Sequence, residues 1–142
     1  MHFQFISISL FLLLILNSCT GEESSFDSLN EQIDFLIEEN RYEEALSILD
    51  DESVEDPEIL LLKEKTHLNY GLHSMNTFDE GEMRTRMNEA LRQFAEVLRI
   101  NTENTVARQQ IEQIMSIYQM MPDRGPEEDV LEDLREVGYD YE

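Results

Sequence analysis

Beyond residue 25 the apolar positions recur every three or four residues, the spacing that lays one stripe along a helix. Phe26, Leu29, Ile33, Leu36 and Ile37 form the first stripe. Ser28 with Glu31, or Ser25 just before, is placed to cap its start. Asn40-Arg41 marks a tight turn. Tyr42, Ala45, Leu46 and Leu49 predict a shorter second helix ending in the acidic run Asp50-Asp51-Glu52. Asp56-Pro57 is a start signal, an Asp cap followed by proline in the first turn. The third helix then runs through Ile59, Leu62, Thr66 and Tyr70 to about Gly71, with a loop over roughly Leu72 to Asn76. Thr77-Phe78-Asp79-Glu80 has the capping-box pattern. It opens a helix whose stripe is Met83, Met87, Ala90, Leu91, Phe94, Val97 and Leu98. After a break at Asn101 to Asn104, a fifth helix turns Ala107, Ile111, Ile114, Met115, Tyr118 and Met121 inward. Pro122 to Pro126 reads as a turn. Pro126-Glu127-Glu128-Asp129 then sets acids on the positive end of a last helix dipole, with Val130, Leu131, Leu134 and Val137 as its stripe and Gly138 as its stop. No stretch alternates as a strand. The expected class is all-α, in antiparallel helical hairpins: about five helices plus a C-terminal capping helix.

The N-terminus follows a different pattern. Phe5 to Leu16 (FISISLFLLLIL) is apolar and uncharged over twelve residues. A membrane-spanning helix needs roughly twenty, so the run fits the apolar core of a signal peptide better. It ends in Leu16-Asn17-Ser18-Cys19, which resembles the lipobox of bacterial lipoproteins: a leucine, two small residues, then the cysteine that is lipidated and becomes the new N-terminus. Cys19 is the single cysteine, so no internal disulfide can form. The resemblance implies a signal peptide over 1–18, a lipid-anchored polar tether over 19–25, and lipid on Cys19. An uncleaved anchor and ordinary secretion are the alternatives. The implied location is the cell envelope, with the outer-membrane or periplasmic side favoured. Thr20 stands where inner-membrane retention often has Asp.

A second resemblance covers residues 26–121. Arg41-Tyr42-Glu43-Glu44-Ala45-Leu46 through Leu49 to Pro57 resembles the second helix of a tetratricopeptide repeat. That family places a small alanine where two helices approach, a large apolar residue four positions on, and a proline twelve positions on. Ala45, Leu49 and Pro57 match. The pattern returns as Ala90, Phe94 and, in the proline's place, Thr102. The two alanines stand 45 residues apart against a usual period of 34. The excess fits an insertion around Gly71 to Arg86 that lengthens helices three and four. Two repeats are few for a solenoid, which needs about three. The fifth helix and the Pro126–Gly138 helix, within an acidic C-terminal helix and tail over 122–142, would cap it, or a homo-dimer would.

Charge narrows the function. The 142 residues carry 32 acids and 10 bases, a net charge of −22. Such a chain repels phosphate, which excludes a nucleic-acid partner. The charge is uneven: residues 22–58 carry a net −14, residues 59–121 a net −1 and residues 122–142 a net −7. Two readings stay open. The acidic ends could lie over Arg84, Arg92 and Arg99, which share one face of the fourth helix. Alternatively, Asp27, Glu31, Asp34 and Glu38 step by four, three and four along the first helix. In tetratricopeptide proteins that helix lines the concave groove, so the resemblance implies an acidic groove, with Glu64 and Gln109 and Gln113 contributing, suited to a basic protein partner.

Catalytic constellations are thin. Nucleophilic catalysis needs Ser or Cys beside His, and Cys19 is committed to lipid. After export His67 and His73 remain, six apart and on different faces. Glu64 and His67 have one di-iron-type spacing where two pairs and two more carboxylates are required. Asp50 to Asp56 lacks the glycine and terminal glutamate of a calcium loop. The methionines on helix stripes read as core filling. The expectation is therefore no enzyme, no metal and no cofactor, but a membrane-anchored adaptor for protein–protein interaction. A structural subunit of a larger envelope assembly, or a metal-binding or enzymatic accessory, is the alternative.

Overall fold

The computed structural model describes residues 26–77, 81–121 and 124–141. The leader, Cys19 and its tether lie outside the described residues, as do Phe78 to Glu80 of the expected capping box. Within them are six helices: α1 (Leu29–Glu38), α2 (Tyr42–Asp50), α3 (Pro57–Asn76), α4 (Met83–Ile100), α5 (Thr105–Gln119) and α6 (Glu128–Glu136). No strand occurs among the described residues, so the all-α expectation holds. No helix among them is long and apolar enough to cross a membrane.

Local chemistry sets most of the boundaries. The Ser28 hydroxyl accepts from the Glu31 N–H at 3.2 Å and so caps α1. Asn40 ends that helix at φ 58°. The Asn40 N–H reaches the Ile37 carbonyl and the Arg41 N–H the Leu36 carbonyl, the paired closure of a Schellman turn. Asp56 Oδ1 accepts from the Glu58 N–H at 2.9 Å with Pro57 in the first turn of α3. Asn104 Oδ1 caps α5 through the Ala107 N–H. Gly138, at φ 94°, closes α6 as Asn40 closes α1, with Tyr139 N–H on the Leu134 carbonyl.

Two expectations fail between α3 and α4. The third helix does not stop near Gly71 but continues to Asn76, leaving no loop at Leu72 to Asn76. The fourth begins at Met83, and its N-cap, Glu82, makes no side-chain capping bond. The reason lies in packing. Gly71 is buried with the Phe94 ring against it, so close that an added Cβ would meet Phe94 Cε1 at 2.6 Å. This glycine permits contact between helices rather than ending one. With residues 72–76 helical, α3 reaches 20 residues.

The core has two parts, and α3 belongs to both. Ile59 and Leu62 from its first half join Ile33, Leu36, Ala45 and Leu49 of α1 and α2. Leu68, Leu72 and Met75 from its second half pack on a larger cluster built by α4, α5 and α6 around Phe94, Leu91, Ile111 and Leu134. Ala45 and Ala90 are wholly buried. Helices α1, α2 and α3 pack mutually, α3 pairs along α4, and α5 and α6 both pack on α4. Val130 and Leu134 dock α6, each wholly buried and worth about 1.5–3 kcal/mol in transfer.

Candidate interaction surface

The acidic stripe of α1 lies at the surface, but its members have separate occupations. Glu31 Oε2 accepts from the Asp27 N–H at 2.9 Å, so this carboxylate serves the helix start. Asp34 pairs with Lys65 of α3 at 2.6 Å. The carboxylates of Asp27 and Glu38 have no hydrogen bond or ion pair among the described residues, and both are exposed. Glu64 does not join them. Its Oε1 accepts from Asn101 Nδ2 at 2.8 Å and Asn104 Nδ2 at 2.7 Å, fastening the α4–α5 turn to α3. Gln109 and Gln113 are exposed on α5.

Sequence reasoning overlooked the apolar and basic members of this surface. Phe35 sits four residues after Glu31 and three before Glu38, hence on their side of the helix. It is 36% exposed, with Phe26 tilted against it at 5.3 Å between centroids. Leu61, one turn before Lys65 on α3, is 64% exposed. Asp34, Ile37, Glu38, Lys65 and Asn69 line a shallow cleft of about 160 Å³ between α1 and α3. The signal was available: Phe35 and Leu61 fall off the core stripes of their helices. The surface is thus an acidic rim with an apolar centre and one lysine.

The C-terminal acids behave differently. Arg92 of α4 reaches Glu127 at 2.8 Å and Asp129 at 2.7 Å. Arg99 reaches Asp133 at 2.6 Å and Glu136 at 2.7 Å, and also pairs with Glu96. Arg84 donates to the Gly125 carbonyl. The hydrogen bond from Arg92 holds the Asp129 carboxyl below its ordinary range. The expected cover by acidic residues is therefore present at this end for Arg92 and Arg99, but not for Arg84, which meets a backbone carbonyl. These pairs are exposed and worth at most about 1 kcal/mol each, so the buried stripe docks α6 and the arginines set its register.

The histidines are separated. His67 Nδ1 meets Gln93 Oε1 at 2.7 Å in the α3–α4 seam, and His73 packs against the Tyr42 ring at 5.4 Å. Neither bonds a serine or cysteine among the described residues. Among the described residues no three His, Cys, Asp or Glu side chains converge on a metal position. No protein-family description, curated protein or solved structure matches this chain.

Proposed function

We propose that this protein is a membrane-anchored lipoprotein with tetratricopeptide-like helical hairpins, serving as an adaptor in the cell envelope. In this reading lipid on Cys19 holds it at the membrane, and two or more acyl chains would make the anchorage stable. Its work is protein–protein interaction through α1 and the adjoining side of α3. The partner is a basic segment carrying an apolar residue. One observation carries this: Asp27 and Glu38 stay unpaired around the exposed Phe35, whereas Asp129, Asp133 and Glu136 of α6 are neutralised by Arg92 and Arg99. Unpaired rim charges steer association and orient it, and the central aromatic supplies affinity. The mutual packing of α1, α2 and α3 and the buried Ala45 and Ala90 are compatible with the repeat resemblance.

The test is crosslinking and pull-down of the full-length protein from its native cells, beside Asp27→Lys/Glu38→Lys. That variant leaves the Ser28–Glu31 cap and the Asp34–Lys65 pair intact. A partner held by the wild type, lost by this variant and kept by a control Glu132→Lys on α6 supports the reading. Equal recovery on all three removes the α1 surface from consideration. Separately, Cys19→Ser should move the protein out of the membrane fraction; unchanged fractionation defeats the anchor.

A further inference from the structure

Helix α6 is a short helix lying on a longer one. It runs parallel to α4: Glu127 and Asp129 at its start meet Arg92, while Asp133 and Glu136 further along meet Arg99. Arg84, Asn88, Arg92 and Arg99 are spaced by four, four and seven, so they share one side of α4. Leu91, Ala95 and Leu98 fall beside them and belong to one buried cluster with Val130 and Leu134 of α6. The seat of α6 is therefore an apolar track edged by three arginines. It is longer than its occupant, since α4 has 18 residues and α6 has 9.

The N-terminal end of this track is poorly filled. The chain enters α6 opposite Asn88, whose Oδ1 accepts from the Glu127 N–H and the Tyr118 hydroxyl, each at 3.3 Å. Gly125 and Pro126, just before, are not helical. Arg84 consequently meets the Gly125 carbonyl and no carboxylate among the described residues. Asn88 is 1% exposed, yet its Nδ2 has no hydrogen-bond partner among them. A buried donor left unmet costs the full desolvation of that group. In a chain of net −22, an arginine and a buried amide both without an acid stand at the same end of one track.

We propose that this side of α4 is a docking groove for an acidic amphipathic helix of a partner protein, parallel to α4 and longer than α6 at its N-terminal end, with α6 as the resident occupant. The resident helix specifies the chemistry of the ligand: apolar residues four apart, as Val130 and Leu134 are, with carboxylates along one flank. The additional turns of the partner place a carboxylate at Arg84 and an acceptor over Asn88 Nδ2. Two wholly buried residues and a set of exposed ion pairs hold α6, a hold that opens before the larger core does. Tethering gives α6 a high effective concentration, so a partner displaces it by making the contacts α6 lacks. The α1 surface takes no part in this groove.

The test is fluorescence anisotropy with two labelled synthetic peptides added to the full chain. The short peptide is residues 127–141. The long one carries the same residues behind a helical extension of alanines, with one glutamate eight positions before Asp129 to stand opposite Arg84. In the chain, α6 is first weakened by Asp133→Asn/Glu136→Gln, which removes its Arg99 pairs and no wholly buried group; circular dichroism checks that this variant stays folded. The long peptide should bind it roughly three- to tenfold more tightly than the short one. Arg84→Gln should erase that difference. The wild-type chain should bind both peptides more weakly, and a scrambled long peptide of equal charge should not bind. A long peptide with no advantage overturns the proposal, as does an advantage that survives Arg84→Gln, equal binding of the scrambled peptide, or no binding of either peptide to the weakened chain at millimolar concentration.

Discussion

Gly71→Ala is the sharpest test of how α3 and α4 pack. Two effects oppose each other. Alanine in a helix interior is favoured over glycine by about 1 kcal/mol, partly because the unfolded chain loses freedom. Against this, the new Cβ would lie 2.6 Å from Phe94 Cε1 and 2.9 Å from Cδ1 and Cζ. Carbon atoms prefer about 3.5–4.0 Å, so roughly 1 Å of movement is required. Phe94 cannot supply it freely, because it is wholly buried, as are Ala90, Leu91 and Ala95 on its own helix. Overpacking of this kind costs about 1–3 kcal/mol and occasionally more, and a contact this short belongs at the upper end. The expected net result is a loss of about 1–2 kcal/mol, a fall of about 4–8 °C in Tm for a fold of this size. Thermal and urea unfolding followed by circular dichroism would measure it. Phe94→Leu supplies the second arm: alone it destabilises, but in its background Gly71→Ala should become neutral or stabilising. A wild-type background stabilised by about 1 kcal/mol would refute the reasoning, because helix propensity would then have won and the ring would not limit the approach.

Burial raises the hydroxyl pKa of Tyr42, Tyr70, Tyr118, Tyr139 and Tyr141, with Tyr70 and Tyr141 reaching about 12. A folded pKa above the unfolded value of about 10 gives stability that is whole below that pH and is lost as pH rises toward 12. Phenolate absorbance should therefore show no tyrosine class titrating at 10 in the native protein, and unfolding should set in within that window. Arg99→Ala should cost about 1 kcal/mol at low salt by releasing Asp133 and Glu136, and less in molar salt; an equal loss in both would assign the effect to packing. Glu64→Ala should cost about 1–2 kcal/mol by removing the acceptor shared by Asn101 and Asn104. Amide exchange at the α4–α5 turn should rise with it. Gly138→Ala, at φ 94°, should destabilise the α6 C-terminus by about 1 kcal/mol, read as a lower urea midpoint.

Helix existence was legible because amphipathic stripes and caps are local. Ser28, Asp56 and Asn104 act within three residues of themselves, and a sequence window of that size contains the whole interaction. The α3–α4 boundary was not legible for the opposite reason. Gly71 carries the composition of a helix stop, yet the residue that decides its role, Phe94, is 23 positions away. Likewise the acidic spacing of α1 was readable, but its partners were not: Asp34 meets Lys65 31 residues on, and Glu64 meets Asn104 across 40. Tyr70 read as one more core position. Only the meeting of α2, α3 and α4 shows that it floors a cleft.

The distribution of charge gains meaning from these pairings. An acidic residue can keep the chain soluble, fasten an element or await a partner, and composition cannot separate the three. Geometry can. Where acids meet arginines over a buried stripe, as at Val130 and Leu134, their charge is spent on register. Where one oxygen is held by neutral donors, as Glu64 is by Asn101 and Asn104, the carboxylate fastens one element to another. Acids with neither occupation, Asp27 and Glu38 among them, are the ones left to serve solubility or to meet a partner, and it is these that the α1 substitutions test.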